Sequence, residues 1–242
     1  MKTNGNFEEF RIERFKFKGK KATVVFPKEF CEGRKWLFKT EYFGAFPELE
    51  EAMLAKGYAV INIENGTRWC MDSDTERQNS FVKHVIKKYD LNEKGALVGM
   101  SCGGMQAIFL AAKHPKHVAC VYLDAPVVNR LSCPCAVGRD VGENAMYEEM
   151  KQATGWTVKE LIASREEPLD YLGKLVKNKI PCVLVCGDSD NTVPYDENGI
   201  YVAEKYRKSN VPFKHFLKAG CDHHPHGLDN PAPIIDFITE NY

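Results

Sequence analysis

The sequence predicts an α/β fold in which an eight-stranded, mostly parallel sheet is covered by helices on both faces. The length of 242 residues suits one domain of this class, so we expect a single domain over residues 1–242. From residue 58 onward, apolar strand-like runs alternate with amphipathic segments. That alternation is typical of parallel strands connected by crossover helices.

The predicted strands are short runs rich in β-branched and aromatic residues. Residues 8–27 are expected to form two antiparallel strands around the turn Lys18-Gly19-Lys20. The other six strands are predicted at 36–38, 58–63, 96–98, 118–123, 180–186 and 213–217.

The predicted helices carry apolar residues at three- and four-residue spacing. The first opens at Pro47 and ends at Gly57. The segment 103–113 is apolar nearly all round, which predicts a buried helix. The remaining helices are predicted at 75–89, 144–152, 157–164, 198–209 and 231–241. Residues of about 127–178 interrupt the alternation, and such an insertion between central strands can form a lid over the strand ends.

Charge and composition exclude several classes of partner. Lys plus Arg and Asp plus Glu both number 33, so no net charge attracts nucleic acid or an anionic membrane. No apolar run approaches the ~20 residues that span a bilayer, and Met1–Asn6 lack an apolar signal core. The nine cysteines are irregularly spaced and odd in number, which argues against a disulfide framework and predicts a cytoplasmic protein.

A candidate nucleophile lies in the sequence Gly99-Met100-Ser101-Cys102-Gly103, which matches G-x-S-x-G between a strand and a helix. Glycines on both sides of the serine remove side chains that would collide in so tight a turn. Ser101 then projects its hydroxyl above the sheet, and the Cys102 amide points to where an oxyanion would develop. The Cys102 thiol is a rival nucleophile, but Met100 stands where its elbow would need glycine. The simpler alternative is a structural turn with an idle serine.

A serine nucleophile needs a base, and the base needs an orienting carboxylate. The predicted strand 180–186 runs into the polar turn Gly187–Pro194, where Asp190 is the favoured acid. Asp188 and Asp124 remain alternatives, since both also follow strands.

Three histidines follow the last predicted strand, where the base of such an enzyme is expected. His223 is favoured because it lies three residues after Gly220, and His224 and His226 remain alternatives.

The same histidines allow a zinc site as a competing interpretation. Its donors would be Asp222, His223, His224 and His226, with Cys133 and Cys135. The spacing matches no familiar zinc motif, and the serine elbow would go unexplained. We therefore predict neither a metal nor another cofactor.

The elbow, acid loop and histidine turn, in this order, resemble the α/β-hydrolase superfamily across nearly all the chain. The segments Phe43–Pro47 and His223–Pro231 are similar to small bacterial hydrolases of the prolyl-oligopeptidase-like or esterase-like kind. The resemblance implies an α/β-hydrolase fold with a Ser101, Asp190 and His223 triad. It also implies a second oxyanion amide in the loop after the third strand, for which Tyr42 is the candidate, although this loop lacks the His-Gly pair common in lipases.

The leading functional hypothesis is hydrolysis of a small ester through an acyl-enzyme. A pocket for a sugar ester or another short acyl group could be formed by Tyr42, Phe43, Arg68 and Trp69. One alternative is a small serine peptidase of the prolyl-oligopeptidase kind, in which Glu148-Glu149 or Glu166-Glu167 would hold a free amine. The simpler interpretation of both acidic pairs is exposed helix charge. An alternative of another class is a non-catalytic, ligand-binding hydrolase fold.

Overall fold

The computed structural model describes residues 7–242, and its strands form one eight-stranded sheet. The strands are β1 (Arg11–Phe17), β2 (Lys20–Phe26), β3 (Trp36–Lys39), β4 (Ala59–Ile63), β5 (Gly95–Met100), β6 (Val118–Asp124), β7 (Cys182–Gly187) and β8 (Phe213–Lys218). Their spatial order is β1-β2-β4-β3-β5-β6-β7-β8. The β1–β2 and β2–β4 pairs are antiparallel and the other pairs are parallel, which confirms the predicted fold class.

Helices cover both faces of this sheet, as the sequence predicts. They are α1 (Glu48–Ala55), α2 (Asp72–Tyr89), α3 (Cys102–Lys113), α4 (Ala145–Thr154), α5 (Val158–Ser164), α6 (Pro168–Lys177), α7 (Gly199–Arg207) and α8 (Ala232–Glu240). One apolar cluster packs α1 and α8 against the sheet, and a second packs α2, α3, α6 and α7 against the other face. Helix α3 is buried on nearly every side, which explains its uniformly apolar sequence.

Two helical details differ from the sequence prediction. Helix α2 begins at Asp72 rather than at residue 75, because the Asp74 carboxylate accepts the Met71 amide at 3.2 Å and caps the first turn. Helix α6 was not predicted at all. Its signal is present nonetheless, since Pro168 opens it and its buried side chains follow helical spacing.

The insertion between β6 and β7 contains α4, α5 and α6. A buried ion pair anchors its first residues to α6: the Arg130 Nε lies 3.3 Å from the Glu167 carboxylate. The Arg130 guanidinium also lies 4.4 Å from the centre of the Trp156 ring. These two contacts hold parts of the insertion together, and the ion pair of Arg68 with Glu149 joins α4 to the loop after β4. Movement of residues 127–178 as a lid stays a prediction.

The cysteines and the helix lengths concern the predictions about disulfides and membrane spans. All nine cysteines, which lie within residues 31–221, have free thiols. Within residues 7–242, no helix is both long and apolar enough to cross a bilayer. The prediction about an export signal falls on residues 1–6, which lie outside the described residues. The cytoplasmic location stays a prediction.

Candidate active site

The turn between β5 and α3 holds Ser101 at φ 51° and ψ −121°, a strained conformation for a residue with a side chain. Glycine is required beside it. A Cβ on Gly99 would lie 2.7 Å from the Gly103 carbonyl oxygen, and a Cβ on Gly104 would lie 2.3 Å from Pro126. A Cβ on Gly103 would approach Glu41 at 3.1 Å rather than residue 99, so its steric role differs from the predicted one. The turn has no room for larger residues at these positions.

Backbone hydrogen bonds fix the position of the serine. The Ser101 amide donates to the Asp124 carbonyl at 2.9 Å, and the Ser101 carbonyl accepts from the Gly104 and Val127 amides at 2.9 and 3.0 Å. The loop after β3 is also attached here, because the Thr40 hydroxyl donates to the Gly103 carbonyl at 2.8 Å. Sequence reasoning did not single out Thr40, and only its position after a strand hinted at a role.

The three residues of the predicted triad lie in a row. The His223 Nε2 is 3.0 Å from the Ser101 Oγ, and the His223 Nδ1 is 2.7 Å from the Asp190 Oδ2. Because a carboxylate only accepts hydrogen bonds, Nδ1 carries the proton and the Nε2 lone pair faces the serine hydroxyl. The His223 and Asp190 side chains are 8% and 1% exposed, so solvent hardly competes for these contacts.

The turn after β7 orients the Asp190 carboxylate. Its Oδ1 accepts the amides of Thr192 and Val193 at 2.8 and 2.7 Å, which leaves Oδ2 for His223. Asp188, the first alternative acid, instead accepts the Gly220 amide at 2.7 Å and so stabilises the turn after β8.

The second alternative acid, Asp124, belongs to a different pair. Its Oδ1 lies 2.9 Å from the His226 Nδ1, and its Oδ2 accepts the Gly227 amide at 2.6 Å and the Tyr122 hydroxyl. Burial raises the pKa of the Asp124 carboxyl, but its hydrogen bonds have the larger combined effect. The strongest of these is with His226, and the pKa stays below its usual value. The third histidine, His224, is exposed and stacks on Phe46 with ring centres 5.6 Å apart. Neither alternative base contacts Ser101 as His223 does.

The two predicted oxyanion donors have different surroundings. The Cys102 amide is the first N–H of α3, a position that has no acceptor within the helix. The Tyr42 amide is engaged by the neighbouring Glu41 carboxylate. The Tyr42 hydroxyl, in contrast, interacts with the Cys102 thiol and with Arg68. The structure thus places the Tyr42 side chain beside Cys102 and Arg68, and the role of its amide as an oxyanion donor stays a prediction.

The Cys102 thiol is poorly suited to act as the nucleophile. It is buried, and burial raises its pKa to about 11, although the hydrogen bond with Tyr42 opposes this shift. At neutral pH the group is therefore protonated, and the reactive thiolate is scarce.

Only part of the predicted substrate pocket comes together. Arg68 lies beside Tyr42 and Cys102, and its guanidinium forms a bidentate ion pair with Glu149 of α4. Trp69 is fully buried and donates its Nε1 to the same Glu149 at 3.2 Å, so it is a core residue and not a pocket wall.

Phe43, the remaining predicted pocket residue, is only half-buried. Its ring packs against Phe7 with centres 5.4 Å apart, and it lines a cavity together with Glu41 and Tyr42. The pocket prediction therefore fails for the buried Trp69, and for Phe43 it stays a prediction.

The acidic pairs of the insertion are engaged by other side chains. Glu149 binds Arg68, and Glu148 lies 2.6 Å from Lys151. Glu167 is paired with Arg130, and Glu166 accepts the hydroxyl of Tyr171. Glu148, Glu149 and Glu166 are exposed, as the simpler interpretation expects, whereas Glu167 is buried against Arg130. A role of either pair in holding a free amine stays a prediction.

The larger donor set of the zinc hypothesis does not assemble. The Asp222 Oδ1 accepts the amides of Asn191 and His223 at 2.9 and 2.7 Å, so it serves the backbone. The three histidines do come together, with one ring nitrogen of each lying within 4.8 Å of the others.

Comparisons with known proteins agree with the fold described above. The family described as alpha/beta hydrolase fold matches residues 64–158, which include the turn at Ser101. This chain has the α/β-hydrolase fold. The matched segment ends before Asp190 and His223, so assignment of those two residues rests on the geometry above. No curated protein matches the chain.

Solved structures with this hydrolase fold include several peptidases. Porphyromonas gingivalis dipeptidyl peptidase 4 is 16% identical over all of this chain, with a TM-score of 0.72. A puromycin-hydrolyzing peptidase of Mycobacterium tuberculosis is 15% identical over 95% of the chain, with a TM-score of 0.72. The Pyrococcus horikoshii acylaminoacyl peptidase is 15% identical over 93%, with a TM-score of 0.68. The hydrolase chain spans only 36%, 37% and 38% of these proteins, respectively.

Proposed function

We propose that the protein is a serine hydrolase that cleaves small esters through an acyl-enzyme. The observation that carries the proposal is the continuous hydrogen-bonded row from Ser101 through His223 to Asp190. In this mechanism the His223 Nε2 takes the proton of the Ser101 hydroxyl as the oxygen attacks the ester carbonyl. Asp190 holds the ring in the required tautomer and stabilises its protonated form.

The first intermediate carries a negative charge on the former carbonyl oxygen. The Cys102 amide at the start of α3 supports this charge, both as a hydrogen-bond donor and at the positive end of the helix. For the second donor we favour the Tyr42 hydroxyl over its amide, because the amide already serves Glu41.

The intermediate then breaks down in two steps. His223 returns its proton to the leaving alcohol as the C–O bond breaks, and the acyl group stays on Ser101. A water molecule, deprotonated by the same ring, attacks the acyl-enzyme and releases the acid. The serine recovers its proton from His223, so the enzyme is restored without a cofactor.

A small serine peptidase is the second candidate, and the peptidases among the similar structures favour it. Against it stands the state of the two acidic pairs, because Glu148, Glu149, Glu166 and Glu167 already have partners in this chain. A peptide amine would have to displace one of those partners.

A comparison of matched substrates distinguishes the two candidates. We expect kcat/KM for a short acyl ester to exceed that for the corresponding aminoacyl or prolyl amide by roughly 10²-fold or more, since an amide needs its nitrogen protonated and positioned by His223. Steady-state kinetics on one ester and amide pair measures the ratio. A faster amide, with its advantage abolished by Glu148→Gln or Glu166→Gln, would replace the esterase proposal with the peptidase.

Chelation distinguishes the triad from catalysis by a metal. EDTA is expected to leave the rate of ester hydrolysis undiminished, because both His223 nitrogens are engaged by Ser101 and Asp190. Rates before and after dialysis against the chelator, together with elemental analysis, provide the measurement. Loss of turnover that added zinc restores would overturn the metal-free mechanism.

A further inference from the structure

The rings of His223, His224 and His226 form a nearly equilateral triangle beside Ser101. Their centres are 5.0 Å apart for 223–224, 4.8 Å for 223–226 and 4.9 Å for 224–226. The ring planes are inclined to one another by 67° to 86°. Each pair is therefore inclined edge to face, and one ring nitrogen of each residue lies within 4.8 Å of the others.

These dimensions match a zinc ion held by three imidazoles. With zinc–nitrogen bonds of about 2.0 Å and tetrahedral angles, the ring centres would be about 5 Å apart. The ligand nitrogens now lie within 4.8 Å of one another, whereas tetrahedral binding would bring them to about 3.4 Å. Some inward rotation is needed, and His224, the exposed ring of the three, would leave its stacking contact with Phe46 to make it.

Buried carboxylates orient two of the three rings. The His223 Nδ1 is held by Asp190 at 2.7 Å and the His226 Nδ1 by Asp124 at 2.9 Å. In both rings the proton is therefore on Nδ1, and the Nε2 lone pair is left to bind a metal. A carboxylate behind a ligating histidine is the usual outer support of a zinc site, since it fixes the tautomer and raises the basicity of the ligand.

We propose that Zn²⁺ binds to His223, His224 and His226 and reversibly inhibits the enzyme. The inhibitory part of this proposal rests on the proposed function, whereas the binding part does not. On binding, the His223 Nε2 lone pair forms a bond to zinc and its hydrogen bond with Ser101 breaks. The serine keeps its proton, so no nucleophile forms. A water molecule completes the tetrahedral set, and removal of the ion restores the original hydrogen bond.

The decisive variant is His224→Gln, because this exposed ring contacts neither Ser101 nor Asp190. In the absence of zinc we expect the kcat/KM of this variant for ester hydrolysis to stay within about twofold of the wild-type value. This corresponds to a change of less than about 1 kcal/mol in the activation free energy. The zinc concentration that halves the activity should rise by at least roughly 10–100-fold, because removal of a ligand should cost no less affinity than removal of a residue that only orients one. His84→Gln is the matched control, since His84 is also exposed and its ring contacts a phenylalanine, with centres 5.0 Å from Phe17. Inhibition of that control should equal wild type.

Binding is measured separately from activity. Calorimetry with ZnCl2 on the Ser101→Ala protein should give one site, which the further change His224→Gln weakens. Co²⁺ should give visible bands of a nitrogen and oxygen site without the intense thiolate charge-transfer band of a cysteine ligand. Zinc affinity that His224→Gln leaves unaltered, or a thiolate band, would refute the site. A protein that binds zinc through His224 but hydrolyses no ester would instead refute the proposed function.

Discussion

Ser101→Ala is expected to lower kcat for ester hydrolysis by roughly 10⁴-fold or more, because the acyl-enzyme cannot form without the Ser101 Oγ. The same change should abolish covalent labelling by a fluorophosphonate. Mass spectrometry of the labelled wild-type protein should place the adduct on the peptide that contains residue 101. The strained turn and the 3.0 Å contact with His223 are the structural reasons.

The matched control for this experiment is Cys102→Ala. It removes the rival nucleophile and keeps the backbone amide, so the label on Ser101 should persist. Labelling that survives in Ser101→Ala and disappears in Cys102→Ala would transfer the nucleophile to the thiol. A wild-type protein that neither takes the label nor hydrolyses esters would favour the non-catalytic, ligand-binding alternative.

His223→Ala is expected to be the most damaging change in the histidine cluster, with a loss of roughly 10³-fold or more in kcat. His223 is the ring that joins Ser101 to Asp190, and its removal leaves the serine proton without an acceptor. Steady-state kinetics on His223→Ala, His224→Ala and His226→Ala compares the three positions directly. KM should change little in His223→Ala, since the base acts in the reaction step rather than in binding.

The other two substitutions provide contrasting controls. His224→Ala should be mild in the absence of metal, because that ring is exposed and stacks only on aromatic neighbours. His226→Ala should mainly reduce the free energy of unfolding, by about 3 kcal/mol, because it leaves the buried Asp124 carboxylate without its ring partner. Thermal melting separates lost stability from lost chemistry. A severe kinetic defect in His224→Ala with a mild one in His223→Ala would show that the base is misassigned.

The sequence determined the local chemistry of the site. Gly99 and Gly103 around Ser101 predicted the turn, although Gly103 makes room for Glu41 and not for residue 99. The strand before the turn and the helix after it follow from residue periodicity. The turn containing Asp190 and the histidine cluster were placed by their positions after predicted strands. These signals are local, since each depends on residues within a few positions of one another.

Only the tertiary structure decided between residues of the same type. Asp124, Asp188 and Asp190 all follow strands, and the pairing of β5, β6, β7 and β8 gives each a different partner. The folding of distant segments onto one another also places His223 beside Ser101 and brings the three histidine rings together.

Burial and long-range pairing explain the remaining differences. Trp69 was a plausible pocket residue, but Glu149 lies 80 positions along the chain, and its contact with the Trp69 ring is invisible to local pattern. The sequence pointed only to the Tyr42 amide, whereas the structure shows that the Tyr42 hydroxyl lies beside Cys102. Sequence patterns specify which groups are available, whereas the packing of distant segments decides which groups meet, because hydrogen bonds and ion pairs depend on separation in space.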